Sequence, residues 1–386
     1  MNQNIRKNQR LLWILAICTF CAGVFYFLKP LIVSSSFPDF SSYYYGSLAA
    51  AVGDNPYDGG QHFFTPFVYP PSLLLFFYPL TIFPYQMVER LFTVCSMCAY
   101  LVSLGILDFL YTKSQPRILR LALLGVLLAT FFPAKFTFGM GQVNSIVLLF
   151  ITLFLYFSKK RNDLAASLFL ALSLATKLFP GVLILFLLFQ KKWNILFTAT
   201  CFLLIIGAIT IFATGPSIVL TFLTSTLPHL LLSPKTDYYN QSIPGIIARL
   251  VSDPGLAQSL TGLYAVVLIS PLLFFSDLHE EKYTLGIILS IVSSLLINTF
   301  AWQHHFILTL PAFFILLSPK FTSGNPYYRT LLGLSYILIA ANITTPNVIW
   351  KPLWSHLTFG GMILWGLLVY RIMMFTPAGK KHIGKI

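Results

Sequence analysis

Long apolar segments alternate with short polar ones along the whole chain. Charged clusters or prolines bound each apolar segment, and many approach the length of about 20 residues that a helix needs to cross a bilayer. The segments counted in this way are residues 11–33, 69–84, 88–111, 117–133, 142–158, 163–176, 178–190, 193–214, 259–276, 283–300, 303–318, 329–343 and 357–375. The pattern predicts an all-α, polytopic membrane helical bundle of about 12–13 membrane segments, in a single domain covering residues 1–386.

Basic residues lie in short clusters between the apolar segments, and such clusters normally remain in the cytoplasm. Residues 6–10 and 380–385 are both basic, so both ends of the chain are expected inside and the number of crossings should be even. The thirteen counted segments conflict with that expectation. Residues 69–84 are short and contain four prolines, so we expect this segment to be tilted or re-entrant.

Composition excludes a soluble globular protein, since 57% of the residues are hydrophobic and only 9% are charged. The net charge of +14 is explained by the basic clusters at the membrane surface and does not indicate a nucleic-acid partner. We expect an integral multi-pass protein of a bacterial cytoplasmic membrane. With the N-terminus inside, residues 34–70 and 215–259 form the two large extracytoplasmic loops.

The first of these loops holds Asp39, Asp54 and Asp58, three of only 11 acidic residues in the chain. The run FSSYYYGSLAAAV after Asp39 predicts a helix along the membrane surface. Asp39 is either the N-cap of that helix or a general base that accepts a hydroxyl proton at the membrane boundary. The segment DNPYDGG is typical of a turn, which explains Asp54 and leaves Asp58 open between turn and site.

Other polar residues predicted at the outer membrane surface are functional candidates because polar groups are costly there. Tyr69 begins a segment whose double proline fixes how the chain enters the membrane. Gln142 and Asn144, in GMGQVNS, are either functional or helix caps. Asn240 and Gln241 lie in YYNQSIPGIIARL, in the second loop.

Cations on the outer side oppose the positive-inside pattern and predict an anion site. Lys177 in ATKLFPG, Arg249 in the second loop, and His304 with His305 in AWQHHF could surround a phosphate. Adjacent histidines on a helix point about 100° apart and make a poor metal pair. The chain has no HExxH, P-loop or D-x-D motif, so we expect neither a metal nor a cofactor, and nucleotide-sugar chemistry is disfavoured.

Six motifs in order resemble glycosyltransferase family 87, the C-type enzymes similar to polyprenyl-phosphate-mannose-dependent mannosyltransferases. The motifs are DFSSYYYGSLAAAVGDNPYD, VYPPSLLLFFYPL, GMGQVNSIVLL, ATKLFPGVLIL, YYNQSIPGIIARL and AWQHHFILTLPA. The resemblance implies inverting transfer of a hexose, with mannose favoured, from a polyprenyl-phosphate sugar to a lipid-linked or envelope glycan acceptor at the outer face. Asp39 is then the expected base. The expected substrate-binding residues are Asp58, Tyr69, Gln142, Asn144, Lys177, Asn240, Gln241, Arg249, His304 and His305.

A secondary transporter or a flippase for lipid-linked glycans is the alternative, since these proteins are also polytopic and basic. Such proteins often contain internal repeats and carry charges near the middle of the membrane. In this chain the candidate charges lie at one predicted surface, and no repeat is visible. The sequence therefore favours an enzyme.

Overall fold

A computed structural model describes residues 2–33, 37–274, 280–322, 325–343 and 354–374. The basic cluster at residues 380–385 and the start of the first predicted loop, residues 34–36, lie outside these ranges. Throughout the described ranges the chain is helical and forms no β-strand, which confirms the all-α prediction.

The α-helices are α1 (Asn2–Val33), α2 (Phe40–Ala51), α3 (Leu74–Phe77), α4 (Tyr85–Leu107), α5 (Arg117–Thr130), α6 (Phe132–Met140), α7 (Asn144–Lys159), α8 (Asp163–Thr176), α9 (Gly181–Phe189), α10 (Trp193–Thr214), α11 (Pro216–Thr221), α12 (Leu227–Leu232), α13 (Ile243–Leu250), α14 (Pro254–Phe274), α15 (Glu280–Ile297), α16 (Leu310–Leu317), α17 (Pro326–Ala340) and α18 (His356–Met374). Short 3₁₀-helices occupy Pro56–Asp58, Pro71–Leu73, Tyr78–Ile82 and Gln303–Thr309, and π-helical turns occupy Asp108–Thr112 and Phe222–Thr226.

Five helices in the described part of the chain are long and apolar enough to cross a membrane. They are Gln9–Lys29, Tyr85–Thr112, Trp193–Thr214, Pro254–Phe274 and His356–Met374. Helices α5 and α6 add a sixth if the pair, which is bent by 49°, is one span. The protein is therefore an integral, polytopic membrane protein, as predicted.

Several other predicted segments form helices close to their predicted bounds but too short to cross a bilayer in a straight line. Residues 69–84 become three short helical pieces, and α7, α8 and α9 have 16, 14 and 9 residues. At 1.5 Å per residue, even α7 is only about 24 Å long, less than the hydrocarbon core of about 30 Å. The sequence therefore located the ends of these helices, but it does not show whether such a short helix crosses the membrane.

The helix predicted after Asp39 forms as α2, and most of its residues are buried inside the protein. Phe40 and Tyr43 lie 5.8 Å and 5.1 Å from the ring of Phe77, which belongs to α3, and Phe92 of α4 packs at 5.3 Å from both Phe40 and Phe77. Aromatic contacts of this kind add to the free energy of burial. Contacts between aromatic side chains thus hold the first loop against the helical bundle.

Helices α1 and α5 pack through a pair of glycines. A Cβ atom on Gly23 would lie 2.5 Å from the carbonyl oxygen of Gly125, and one on Gly125 would lie 2.7 Å from the backbone nitrogen of Phe20. Small residues at such crossings allow membrane helices to approach closely, which dispersion forces then stabilise.

Candidate active site

A cavity of about 560 Å³ lies where several helices end inside the bundle. Helix α7 begins at Asn144, α8 ends at Thr176 and α9 begins at Gly181. The short helices leave open space at this level that full-length spans would fill. Asp39, Tyr69, Gln142, Lys177, His304 and His305 line this space, which we call the Asp39 cavity. Its volume is in the range of small-molecule sites.

Backbone hydrogen bonds hold Asp39 at the cavity. Its N–H donates to the carbonyl of Met140 at 2.9 Å, at the end of α6. Two residues earlier, the N–H of Phe37 donates to Glu89 Oε1 at 2.8 Å. Asp39 is in the N-cap position of α2, but its carboxylate makes no capping hydrogen bond. Capping therefore does not occupy this side chain, and the carboxylate faces the cavity.

The turn between α6 and α7 requires glycine at position 141. Gly141 has φ of +70°, in the left-handed region that side chains disfavour. A Cβ atom there would lie 2.8 Å from Cβ of Phe37 and 2.9 Å from Cβ of Phe40. The turn and the segment that carries Asp39 are consequently in direct backbone contact.

Gln142 fixes the carboxylate of Asp39. Its Nε2 donates to Asp39 Oδ2 at 2.5 Å, while its Oε1 accepts from the hydroxyl of Tyr43 at 2.9 Å. The hydroxyl of Tyr69 lies 3.2 Å from the same Oε1. Gln142 is thus buried and joins Asp39 to the two tyrosines by hydrogen bonds, and it is not a helix cap. The second carboxylate oxygen, Oδ1, makes no hydrogen bond within the described ranges, so it can accept one from a substrate.

Burial changes the proton affinity of Asp39, which is 3% exposed. Desolvation raises the pKa of this carboxyl from 3.8 to about 6, against the hydrogen bond from Gln142 and the charge of Lys177, which both lower it. A carboxylate with this pKa is mostly ionised at neutral pH. It is also a better proton acceptor than an ordinary aspartate, as a general base requires.

Lys177 lies in the break between α8 and α9 and is 7% exposed. Its Nζ is 2.9 Å from Asn144 Oδ1 and 2.6 Å from His305 Nε2. The same Nζ lies 5.2 Å from the ring centroid of Tyr69 and 5.5 Å from that of Phe179. Burial lowers the pKa of the amine from 10.5 to about 7, although the charge of Asp39 raises it.

The hydrogen bonds of His305 are compatible with a neutral amine on Lys177. His305 Nδ1 accepts from the N–H of Trp302 at 2.9 Å. A neutral imidazole then carries its proton on Nε2, the atom that faces Lys177. The imidazole donates to the lone pair of the amine, while the amine donates to Asn144. A free amine at this position can therefore take up a proton when an anion enters the cavity.

Several buried polar atoms at the cavity lack a partner among the described residues. They are Trp302 Nε1 and His304 Nδ1, whose residues line the cavity, and Asn144 Nδ2, whose residue contacts Lys177. Buried polar groups are nearly always hydrogen-bonded in folded proteins, so these atoms are suited to a polar ligand such as a sugar. In the same ranges, no three His, Cys, Asp or Glu side chains converge in a way that could hold a metal ion.

The cavity wall also contains residues that the sequence interpretation missed. Tyr57, His229, Lys235 and Asp237 line the cavity there, and the last three belong to the second predicted loop. Lys235 supplies a second lysine facing the same space as Lys177. The sequence signal for His229, Lys235 and Asp237 was the high number of polar residues in the second predicted loop.

Five predicted site residues are not on the cavity wall. Asn144 is fully buried and contacts the wall residue Lys177. Asp58 is exposed and accepts from Asn55 Nδ2 at 2.9 Å, within the predicted turn. Arg249 donates to the carbonyls of Asp237 and Asn240, each at 3.0 Å, and to Ser355. Its guanidinium therefore holds the second loop and does not face the cavity.

Asn240 and Gln241 likewise support the loop from behind. Asn240 Nδ2 donates to the carbonyls of Lys235 at 2.7 Å and Thr299 at 2.9 Å. Gln241 Nε2 donates to the carbonyl of Tyr238 at 2.8 Å, and its Oε1 accepts from the N–H of Leu357 at 3.2 Å. Both amides are buried, and they join the loop to neighbouring helices.

Comparison with known proteins gives the family of this chain. Residues 67–299 match glycosyltransferase family 87. A polyprenol-phosphate-mannose-dependent alpha-(1-2)-phosphatidylinositol mannoside mannosyltransferase of Mycolicibacterium smegmatis is 22% identical over 90% of this chain and 85% of its own length. The protein of the same description from Mycobacterium tuberculosis is 26% identical over 72% of this chain and 69% of its length.

A polyprenol-phosphate-mannose-dependent alpha-(1-2)-phosphatidylinositol pentamannoside mannosyltransferase of Mycolicibacterium smegmatis is 25% identical over 76% of this chain and 74% of its own length. No solved structure matches the chain significantly. The matched family segment contains more than half of the chain and most of the Asp39 cavity. The chain belongs to glycosyltransferase family 87.

Proposed function

We propose that the protein transfers mannose from a polyprenyl-phosphate-mannose donor, with inversion, to a lipid-linked or envelope glycan at the extracytoplasmic face of a bacterial cytoplasmic membrane. The names of the similar mycobacterial proteins support the donor. The observation that carries the mechanism is one buried carboxylate, Asp39, facing the same cavity as a buried lysine, Lys177.

In the proposed reaction, an acceptor hydroxyl donates its proton to Asp39 Oδ1 as its oxygen attacks C1 of the mannose. The bond between C1 and the phosphate oxygen breaks, and the polyprenyl phosphate leaves with the electron pair. Attack on the face opposite the leaving group inverts the configuration at C1, as in inverting glycosidases, where one carboxylate is the base. The raised pKa of Asp39, about 6, suits this role.

Lys177 stabilises the leaving group in this scheme. The incoming phosphate favours the protonated amine, which has no lone pair for His305, so it turns from His305 to donate to the phosphate oxygens while Asn144 still accepts from it. Charge that develops on the leaving phosphate is stabilised by a cation already fixed in a water-poor site. Lys235 and His304 line the same cavity and provide further positive or polar contacts.

The acceptor is expected to enter along the second-loop wall. His229, Lys235 and Asp237 are exposed and line the cavity there, so a polar glycan can reach the base from that side. The similar proteins are named for phosphatidylinositol mannosides as acceptors. A glycolipid whose sugar projects from the membrane surface fits this approach.

The test is mannosyl transfer by Asp39→Asn in membranes supplied with polyprenyl-phosphate-mannose. Loss of general base catalysis should reduce kcat by about 10²–10⁴-fold, while the protein remains inserted and abundant. Asp58→Asn is the matched control, because it neutralises another carboxylate of the same loop outside the cavity. Full turnover by Asp39→Asn, or equal loss in both variants, would exclude Asp39 as the base.

A further inference from the structure

A second cavity, of about 570 Å³, lies at the other end of the bundle. Helix α7 runs from Asn144, which contacts Lys177, to Lys159, which lines this second cavity. Helix α15 likewise joins the two cavities, from Glu281 to just before Asn298. At 1.5 Å per residue, these helices separate the cavities by about 24–27 Å.

Four cations at three connections between helices line the second cavity, which we call the Lys192 cavity. They are Lys159, Arg161, Lys192 and Lys320, and the carboxylates facing them are Asp163 and Glu281. Lys320 pairs with Glu281. Among the described residues that line this cavity, four positive side chains against two negative ones leave an excess of positive charge. The positive-inside pattern places this end of the bundle at the cytoplasmic surface.

The wall of the Lys192 cavity also contains hydroxyl groups without partners. The hydroxyls of Tyr111, Ser158 and Tyr283 are buried and make no hydrogen bond within the described residues, and Tyr111 is only 5% exposed. Two lysines of the cavity lie over the tyrosine rings. Lys159 Nζ is 5.5 Å from the ring centroid of Tyr111, and Lys192 Nζ is 4.9 Å from that of Tyr283. Such orphaned donors beside cations are suited to phosphate oxygens.

The rest of the wall is apolar. Leu155, Ile195, Ile287 and Phe321 are buried and line the cavity between the charged rim and the bundle. A free phosphate ion would gain nothing from these side chains, whereas a phosphate ester attached to an apolar group would contact both parts. Basic pockets between membrane helices at the cytoplasmic side commonly hold anionic lipid head groups.

We propose that the Lys192 cavity binds the phosphate head group of an anionic phospholipid from the cytoplasmic leaflet. The cations and the unpaired hydroxyls bind the phosphate, and the apolar wall contacts the glycerol and upper acyl chain. This site is separate from the proposed transfer reaction and does not depend on its donor or acceptor. It gives the enzyme a lipid contact at the surface opposite its proposed active site.

The test is native mass spectrometry of the detergent-solubilised full-length protein with phosphatidylglycerol, phosphatidylcholine of the same acyl chains, or inorganic phosphate. Phosphatidylglycerol should bind preferentially, and Arg161→Asn with Lys192→Gln should weaken its binding by about 25-fold, because each charge near a membrane surface contributes about fivefold. Asn is chosen at position 161 because φ there is +55°.

Lys113→Gln with Arg117→Gln is the matched control, since it removes two exposed charges outside the cavity at the same end of the bundle. It should bind phosphatidylglycerol as the parent protein does, and so should Asp39→Asn, which alters the other cavity. Tyr283→Phe keeps the ring and should weaken binding by about fivefold.

Equal binding of the two lipids, or equal losses in the cavity and control variants, would overturn the proposal. Inorganic phosphate that binds as tightly as phosphatidylglycerol would overturn the lipid assignment. Retained binding in both the double variant and Tyr283→Phe would exclude the cavity even if one variant folded poorly.

Discussion

Replacing Asp39 with Asn should stabilise the protein although it removes the proposed base. Burial raises the pKa of this carboxyl from 3.8 to about 6, so the folded protein holds the charged form unfavourably. A difference of about two pH units corresponds to about 3 kcal/mol of stability lost at pH values above 6. The neutral amide removes that cost and can still accept the hydrogen bond from Gln142.

The stabilisation should depend on pH in a defined direction. Because the pKa is raised in the folded state, the cost of the carboxylate is complete above pH 6 and disappears as the pH falls towards 4. The advantage of Asp39→Asn should therefore be greatest at about pH 7.5 and about half as large at about pH 5. The pKa of about 6 already includes the attraction of Lys177, so a gain of up to about 3 kcal/mol is expected at neutral pH.

Thermal unfolding of the purified protein in detergent at the two pH values measures this effect. Asp58→Asn is again the control, since its carboxylate is exposed in a turn and its replacement should leave the midpoint nearly unchanged. If Asp39→Asn is no more stable than the parent at neutral pH, burial does not destabilise the carboxylate. An equal gain at both pH values would contradict the linkage to its ionisation.

Further variants test the other parts of the site. Lys177→Gln should raise the KM for the donor by about 10–100-fold because a charge-assisted hydrogen bond to phosphate is lost, and unchanged donor kinetics would remove Lys177 from the phosphate site. The value of kcat/KM should rise through about pH 6, as Asp39 loses its proton, and fall above about pH 7, as Lys177 loses its proton. A flat pH profile would contradict both assignments. Gln142→Leu should lower kcat by about 10–100-fold with little change in donor KM, since the carboxylate loses its orienting donor, whereas equal changes in both constants would indicate general damage. Gly141→Ala should destabilise the protein by about 1–3 kcal/mol in thermal unfolding because of its positive φ and close contacts, while Gly139→Ala, which meets no atom within 4 Å, should not.

The sequence identified the membrane fold because composition and hydropathy report directly on the surrounding solvent. It also predicted that Lys177 lies at a polar site, since a cation between two apolar segments has few structural reasons to be there. The structure places Lys177 on the wall of the Asp39 cavity. Arg249 met the same criterion and was predicted at the same site, but the structure does not place it on the cavity wall. Its guanidinium binds carbonyls of the second loop, and the path of that loop depends on tertiary contacts that no local pattern encodes.

Residue type alone could not separate Asp39 from Asp58. Both are acidic residues of one loop, and the turn composition around Asp58 left its role open, but Asp58 accepts a hydrogen bond from Asn55 in a local turn. Asp39 reaches the cavity through backbone contacts with α6 and with Glu89, which are distant in sequence. The number of spans was similarly hidden, because hydropathy does not show whether a short apolar helix crosses the membrane.

The hydrogen bond between the backbone of Asp39 and Met140 has a consequence for how substrates can enter. It fastens the base to the same turn that presents Gln142, so neither residue can swing aside without moving the other. Any widening of the entrance must therefore come from the second loop, whose His229 and Lys235 are exposed. Changing that loop would alter which glycans are accepted while the reacting groups keep their alignment.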